Sequence, residues 1–316
     1  MSGFALQWAP GCVPQHVKAI EAANHRFGCM RQALHRVYPS SGVHPFSWRG
    51  TGEPLAVGGA MAVYKLTVHG GRHTYPLICK IPHQRRLVYT ADADAQAQDD
   101  ATSDLLDTLA DLADTVNHRA AGIFPRCGGV WHWRDDAGTP RHLLIEAFIP
   151  GVSVERLLLQ YEQRLLAGEL DAAAYAGHRA AAERLAVATY VRLWDALDRR
   201  LFTSDPSPWN VLVRDADAAK NGAASATVID LHSLQPDAGF PYVVQRLAAV
   251  YGLREEVLER ALLPGIVEAL GQEEGRRLLL DSLPCLQAAA EAARRNLGVD
   301  TLQPLLRLIR RSCRSE

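Results

Sequence analysis

Thr203-Ser204-Asp205-Pro206-Ser207-Pro208-Trp209-Asn210-Val211-Leu212-Val213 is followed, after a gap, by Thr227-Val228-Ile229-Asp230. A carboxylate thus stands ahead of an Asn that opens an apolar strand, and a second carboxylate closes the next apolar strand. Two acids and an amide at the ends of paired strands can share a divalent cation and hold a hydroxyl beside it, as phosphoryl transfer from a nucleotide requires. Asp205 is the candidate to accept or orient the proton of that hydroxyl, and Asn210 and Asp230 are candidate metal ligands. Taken singly, Asp205-Pro206 also fits a plain turn, Asn210 a turn closure and Asp230 a strand-end cap. None of these accounts for the order of the set.

Upstream, residues 62–68 and 75–81 read as two β-runs joined through Gly70-Gly71, a hairpin. The second run, Leu77-Ile78-Cys79-Lys80-Ile81, holds a lone cation in an apolar strand. Lys80 fits a phosphate-binding point charge, and fits equally a strand Lys whose stem lies along apolar neighbours. Gly58-Gly59 ahead of the hairpin would let backbone N–H groups approach phosphates, or simply turn the chain. Glu146-Ala147-Phe148-Ile149-Pro150-Gly151 ends a further strand and reads as a linker whose backbone, at Glu146 and Phe148, would meet an adenine edge. Glu146 fits an ordinary exposed strand residue as well.

The remaining pattern gives a helix over 14–37, an irregular connector over 40–54, and an acidic helix over 102–116. Strands are expected at 129–133 and 142–148, and helices over 153–167, 171–200, 240–271 and 273–312. The 316 residues carry 34 Lys and Arg against 35 acids, a balance that argues against a nucleic-acid-coating or anionic-membrane surface. No signal peptide and no apolar run of membrane-spanning length is visible, so a soluble, cytoplasmic protein without stable membrane insertion is expected. The six cysteines are scattered without Cys-x-x-Cys spacing and read as reduced thiols, several of them in the core.

In their order these pieces resemble the kinase-like fold, and within it the aminoglycoside and small-molecule phosphotransferases. The residues that carry the resemblance are Gly58 to Lys65, Lys80, Glu146 to Gly151, Asp205-x4-Asn210-Val211-Leu212-Val213 and Val228-Ile229-Asp230. It implies an α+β, bilobal fold: an N-terminal helical extension (1–50), a β-rich nucleotide-binding lobe with one helix (51–149), and a mainly helical lobe with the catalytic loop and acceptor site (150–316). It also implies ATP and Mg2+ as cofactors, Gly58, Gly59, Lys80, Glu146 and Phe148 at the nucleotide, Asp205 as base, and Asn210 and Asp230 on magnesium. The partner would be a small-molecule hydroxyl acceptor, such as a sugar, an aminoglycoside-like compound or a glycan, with self-association through the N-terminal helix a further expectation.

The chain departs from that family at Thr203, where a His is usual, and at Ser207, where protein kinases keep a Lys. The acidic helix offers only Asp residues, Asp107 and Asp111 foremost, as partners for Lys80. A nucleotide-binding scaffold that has lost catalysis and a protein-kinase-like effector are therefore the rival readings.

Overall fold

The computed structural model describes residues 5–39, 49–57, 61–70, 72–82, 110–136, 138, 140–214, 225–230, 233–236, 238–252, 254–297 and 302–313. The chain forms a mixed α/β structure that divides into two compact units, residues 1–121 with 125–148 and residues 122–124 with 149–316.

The first unit is built on a six-stranded sheet. Its strands are β1 (Ala5–Trp8), β2 (Arg49–Val57), β3 (Met61–Gly70), β4 (His73–Pro82), β5 (Cys127–Arg134) and β6 (Pro140–Ala147), in the spatial order β1-β2-β3-β4-β6-β5. β1 runs parallel to β2, and the other neighbours are antiparallel. Two of these strands depart from the sequence reading. β1 was not expected at all, and the segment read as a connector supplies most of β2, because pairing rather than apolar alternation holds its Arg-Gly-Thr-Gly-Glu start in place.

The expected helix over 14–37 is two helices, α1 (Pro14–Phe27) and α2 (Cys29–Val37). They part at Gly28, whose φ of 64° ends α1 in the left-handed region where L-residues are disfavoured. Asn24 serves both sides of the break: its carbonyl accepts from Gly28 N–H at 2.9 Å, and its side-chain oxygen accepts from Met30 N–H at 3.2 Å. The apolar spacing runs on through Gly28, which is why the pattern alone reads as one helix.

Side-chain alternation then divides the sheet. In the β3–β4 and β4–β6 registers Tyr64 lies opposite Cys79, and Cys79 opposite Ile145. With Leu66, Val68 and Leu77 they form one core with Ile20, Ala23, Met30, Ala33 and Leu34 of α1 and α2. α2 approaches β5 so closely that a Cβ on Gly128 would lie 2.7 Å from the Ala33 side chain. Residues 110–119 form helix α3, tied to β5 by Asn117, which donates to Cys127 O at 2.9 Å and accepts from Cys127 N–H at 2.7 Å.

The second unit is mainly helical: α4 (Val154–Leu166), α5 (Ala172–Ala196), α6 (Phe240–Tyr251), α7 (Glu255–Val257), α8 (Leu263–Leu270), α9 (Gln272–Leu297) and α10 (Gln303–Cys313). A π-turn, Leu258–Leu262, joins α7 to α8. Ser153 caps α4 and Asp171 caps α5, each accepting a backbone N–H of the first turn. The C-terminal half of α5 is buried on nearly every side, as an all-round apolar helix must be. α8 crosses it at Gly265, where a Cβ would stand 2.7 Å from Val187.

Short strands complete the unit: β7 (Val152–Ser153), β8 (Phe202–Thr203), β9 (Val211–Val213), β10 (Ala226–Val228) and β11 (Leu234–Gln235). They form two ladders, β10-β9-β7 and β11-β8. Among the described residues no helix is long and apolar enough to cross a membrane.

Candidate active site

The two small ladders explain how distant acids come together. The chain leaves β8, crosses residues 204–210 and enters β9; later it leaves β10 through residues 229 and 230, and residue 233 leads into β11. Because β8 pairs with β11 and β9 with β10, both loops span the same two ladders and run side by side. Ile229 N–H donates to Asn210 O at 2.8 Å at one end, and Ser204 N–H to Ser233 O at 2.8 Å at the other. Asp205, Asn210 and Asp230 therefore share one locality.

Within it, Asp205 is exposed, and the Asn210 side-chain amide donates at 3.2 Å both to Asp205 Oδ2 and to Asp205 O. That bond fixes the carboxylate and, with the amide nitrogen so used, turns the amide oxygen away as an acceptor. Asp230 follows β10 with φ 94°, a conformation that a non-Gly residue holds only where its surroundings impose it. A carboxylate and an amide oxygen are hard oxygen donors of the kind Mg2+ takes. Among the described residues no cluster of three or more His, Cys, Asp and Glu forms. Asn210 and Asp230 are the residues here that could hold such an ion.

Four side chains that the sequence reading did not single out as site residues hold these loops. Thr203 Oγ1 accepts from Asp205 N–H at 3.0 Å and lies 2.7 Å from Ser233 Oγ. Ser233 Oγ donates to Asp230 O at 2.9 Å. Tyr190 Oη donates to Ser207 O at 2.8 Å, and the Arg246 guanidinium donates to Ser204 O. Arg246 carried a signal, as the one charged residue of the helix Phe-Pro-Tyr-Val-Val-Gln-Arg-Leu-Ala-Ala-Val-Tyr. Tyr190 and Tyr251 lie beneath the loop, and burial pushes both phenols well above their ordinary range, with the negative charge of Asp205 adding to each. Nearby on α5, burial also raises the carboxyl of Glu183, against the pull of Arg179 at 2.9 Å.

In the first unit the register that builds the core puts Lys80, Ile78 and Glu146 on the opposite face, since Ile78 pairs with both Lys65 and Glu146. Lys80 Nζ meets Glu146 Oε2 at 2.9 Å, with only 8 % and 2 % of the side chains exposed. Glu146 is thus a buried ion-pair partner, not an exposed strand residue. Asp111 is exposed on α3, and Asp107 lies outside the described residues, as do Gly58 and Gly59. Phe148 donates its N–H to Pro76 O at 3.3 Å, and its ring lies 5.1 Å from Lys65 Nζ, a cation–π contact. The Cys127 thiol is pushed up to about 12 by burial and by the Glu146 carboxylate beside it, and Cys29 and Cys79 are likewise buried free thiols.

No protein-family model and no curated protein matches the chain. Solved structures do match. One, described as "WaaP in complex with acyl carrier protein", is 17 % identical over 77 % of this chain and 88 % of that one, with a TM-score of 0.42.

Proposed function

We propose that the chain is an ATP- and Mg2+-dependent phosphotransferase of kinase-like fold that phosphorylates a hydroxyl of a small molecule, a sugar, an aminoglycoside-like compound or a glycan. The observation that carries this reading is the pair of loops that sets an exposed carboxylate, Asp205, against the Asn210 amide with Asp230 alongside. Asp205 would orient the acceptor hydroxyl and take its proton as the new phosphorus–oxygen bond forms. The bond from the γ-phosphorus to the bridging oxygen breaks, and ADP leaves. Asn210 holds the carboxylate toward that hydroxyl while its amide oxygen, with Asp230, would hold the metal. Bound Mg2+ would neutralise charge on the phosphate oxygens. Lys80, held in place by Glu146, would bind phosphate as a point charge, and Gly58 and Gly59 would approach it through backbone N–H groups.

Incubation with Mg2+ and ATP against a panel of sugars, aminoglycosides and glycans, read by ADP release and by product mass, tests this directly. With the true acceptor, Asp205→Asn is expected to lower kcat by about 10²–10⁴-fold while nucleotide binding is kept. An unchanged rate would remove Asp205 from the chemistry. Nucleotide addition in place of phosphate would show up as the larger mass gain.

A further inference from the structure

Thr203 stands where the resemblance leads one to expect His, and its hydroxyl is 2.7 Å from that of Ser233 in a buried site, the two residues being 2 % and 7 % exposed. The proton order of this pair follows from its neighbours. Ser233 spends its hydroxyl hydrogen on Asp230 O at 2.9 Å, so it can only accept from Thr203. Thr203 Oγ1 in turn accepts from Asp205 N–H at 3.0 Å. The chain of bonds therefore runs one way, from the Asp205 amide through the Thr203 and Ser233 hydroxyls to the Asp230 carbonyl.

We propose that Thr203 and Ser233 are positioning residues, a two-hydroxyl relay that locks the Asp205 loop to the Asp230 loop so that the two carboxylates keep one geometry. The relay's catalytic consequence rests on the phosphotransfer reading; its existence rests on the hydrogen bonds alone. Three features support a lock rather than incidental contact. The relay begins on the amide of the proposed base and ends on the carbonyl of the proposed metal ligand. Asp230 has φ 94°, and its carbonyl also faces Ser233 N–H at 3.4 Å, so Ser233 braces the residue whose backbone most needs bracing. Finally, Ser204 N–H donates to Ser233 O at 2.8 Å and β8 pairs with β11, so the relay joins loops that are already in register and needs no rearrangement to form.

The test uses the full chain with Thr203→Val, which keeps the shape and removes the hydroxyl, Thr203→Ser, which keeps it, and Ser233→Ala. Amide hydrogen exchange of the segments 203–207 and 229–234 reads the relay without any need for activity. Thr203→Val is expected to speed exchange in both segments, Thr203→Ser to restore protection, and the double variant Thr203→Val with Ser233→Ala to be no worse than its more affected parent, as for one shared network. Loosening confined to 203–207, or effects of the two substitutions that simply add, overturns the lock. With an acceptor in hand, Thr203→Val should lower kcat by about 10–100-fold and raise the Mg2+ concentration needed, with the acceptor KM little moved and Thr203→Ser close to wild type. Both segments loosened with kcat and Mg2+ dependence unchanged would show a relay that positions nothing, and would equally overturn the proposal. If Thr203→Val fails to fold, Ser233→Ala, which removes both bonds of the Ser233 hydroxyl and leaves the bond from Asp205 N–H to Thr203, gives the same two readouts. Failure of the phosphotransfer reading shows separately, as absent turnover in the wild-type chain while the exchange results still decide the relay.

Discussion

Lys80 and Glu146 form a buried ion pair, and removing one member differs in kind from removing both. Glu146→Ala takes away the carboxylate 2.9 Å from an ammonium group that is 8 % exposed, and should cost about 3–5 kcal/mol in urea unfolding. Lys80→Met with Glu146→Leu should recover most of that loss, since an apolar pair of similar volume often replaces a buried ion pair without penalty. The double variant should nevertheless stay inactive if Lys80 binds phosphate, and an active one would remove Lys80 from the site. At the surface, Arg277 and Arg199 hold the Glu274 carboxyl down to about 2, against an ordinary value of 4.5. A depressed acid contributes stability above its unfolded pKa and loses it as pH falls through the folded one. The stability gap between wild type and Glu274→Gln should therefore be fully open above about pH 5 and close toward pH 2; a gap independent of pH would refute the pairing. Lys80 was legible as an unusual cation in an apolar strand. Its partner was not, because Glu146 reaches it only through the pairing of β4 with β6, a register that depends on two strands far apart in sequence.

At the scale of elements, the helices of the second unit follow from apolar period and caps, but their contacts turn on residues too small to show in any period. Gly265 is the clearest case. Ala there would press a Cβ to 2.7 Å from Val187 and 2.9 Å from the Arg184 carbonyl, so α8 must lift from α5. Gly265→Ala is expected to cost about 1–3 kcal/mol of stability, measured by chemical denaturation, and a neutral effect would mean the crossing has slack. The same logic separates what was read from what was missed in the first unit. The strands over 62–68, 75–81, 129–133 and 142–148 announce themselves as short apolar β-type runs bounded by turn residues and appear as β3, β4, β5 and β6. β1 and β2 do not, since they are held by ladder hydrogen bonds to β3 and to each other. The helical stretch over 240–271 breaks into shorter helices for a similar reason: the apolar period carries over the joint at Gly252, whose φ of 97° stops α6.

For the molecule as a whole, the proposed function requires that ATP and Mg2+ bind the folded chain. Binding to the folded chain alone must then raise its thermal stability by mass action, about 2.7 kcal/mol at a ligand concentration of 100 Kd. Mg2+ with ATP should raise the melting temperature more than either does alone, and Asp230→Asn should abolish the extra rise. No shift at millimolar Mg2+ and ATP would count against nucleotide binding at this site. The sequence by itself determined the residue types and their order: a cation in a buried strand, then an acid, an amide and a second acid flanking short apolar strands. These features are local, encoded by alternation, by turn residues and by the free-energy cost of placing charge beside apolar neighbours. Only the tertiary structure decided which groups meet. It paired Lys80 with Glu146, set two loops side by side through β8·β11 and β9·β10, and turned the Thr203 hydroxyl toward Ser233. Those contacts depend on strand register and on the direction of single buried hydroxyls, and neither leaves a periodic trace in the chain.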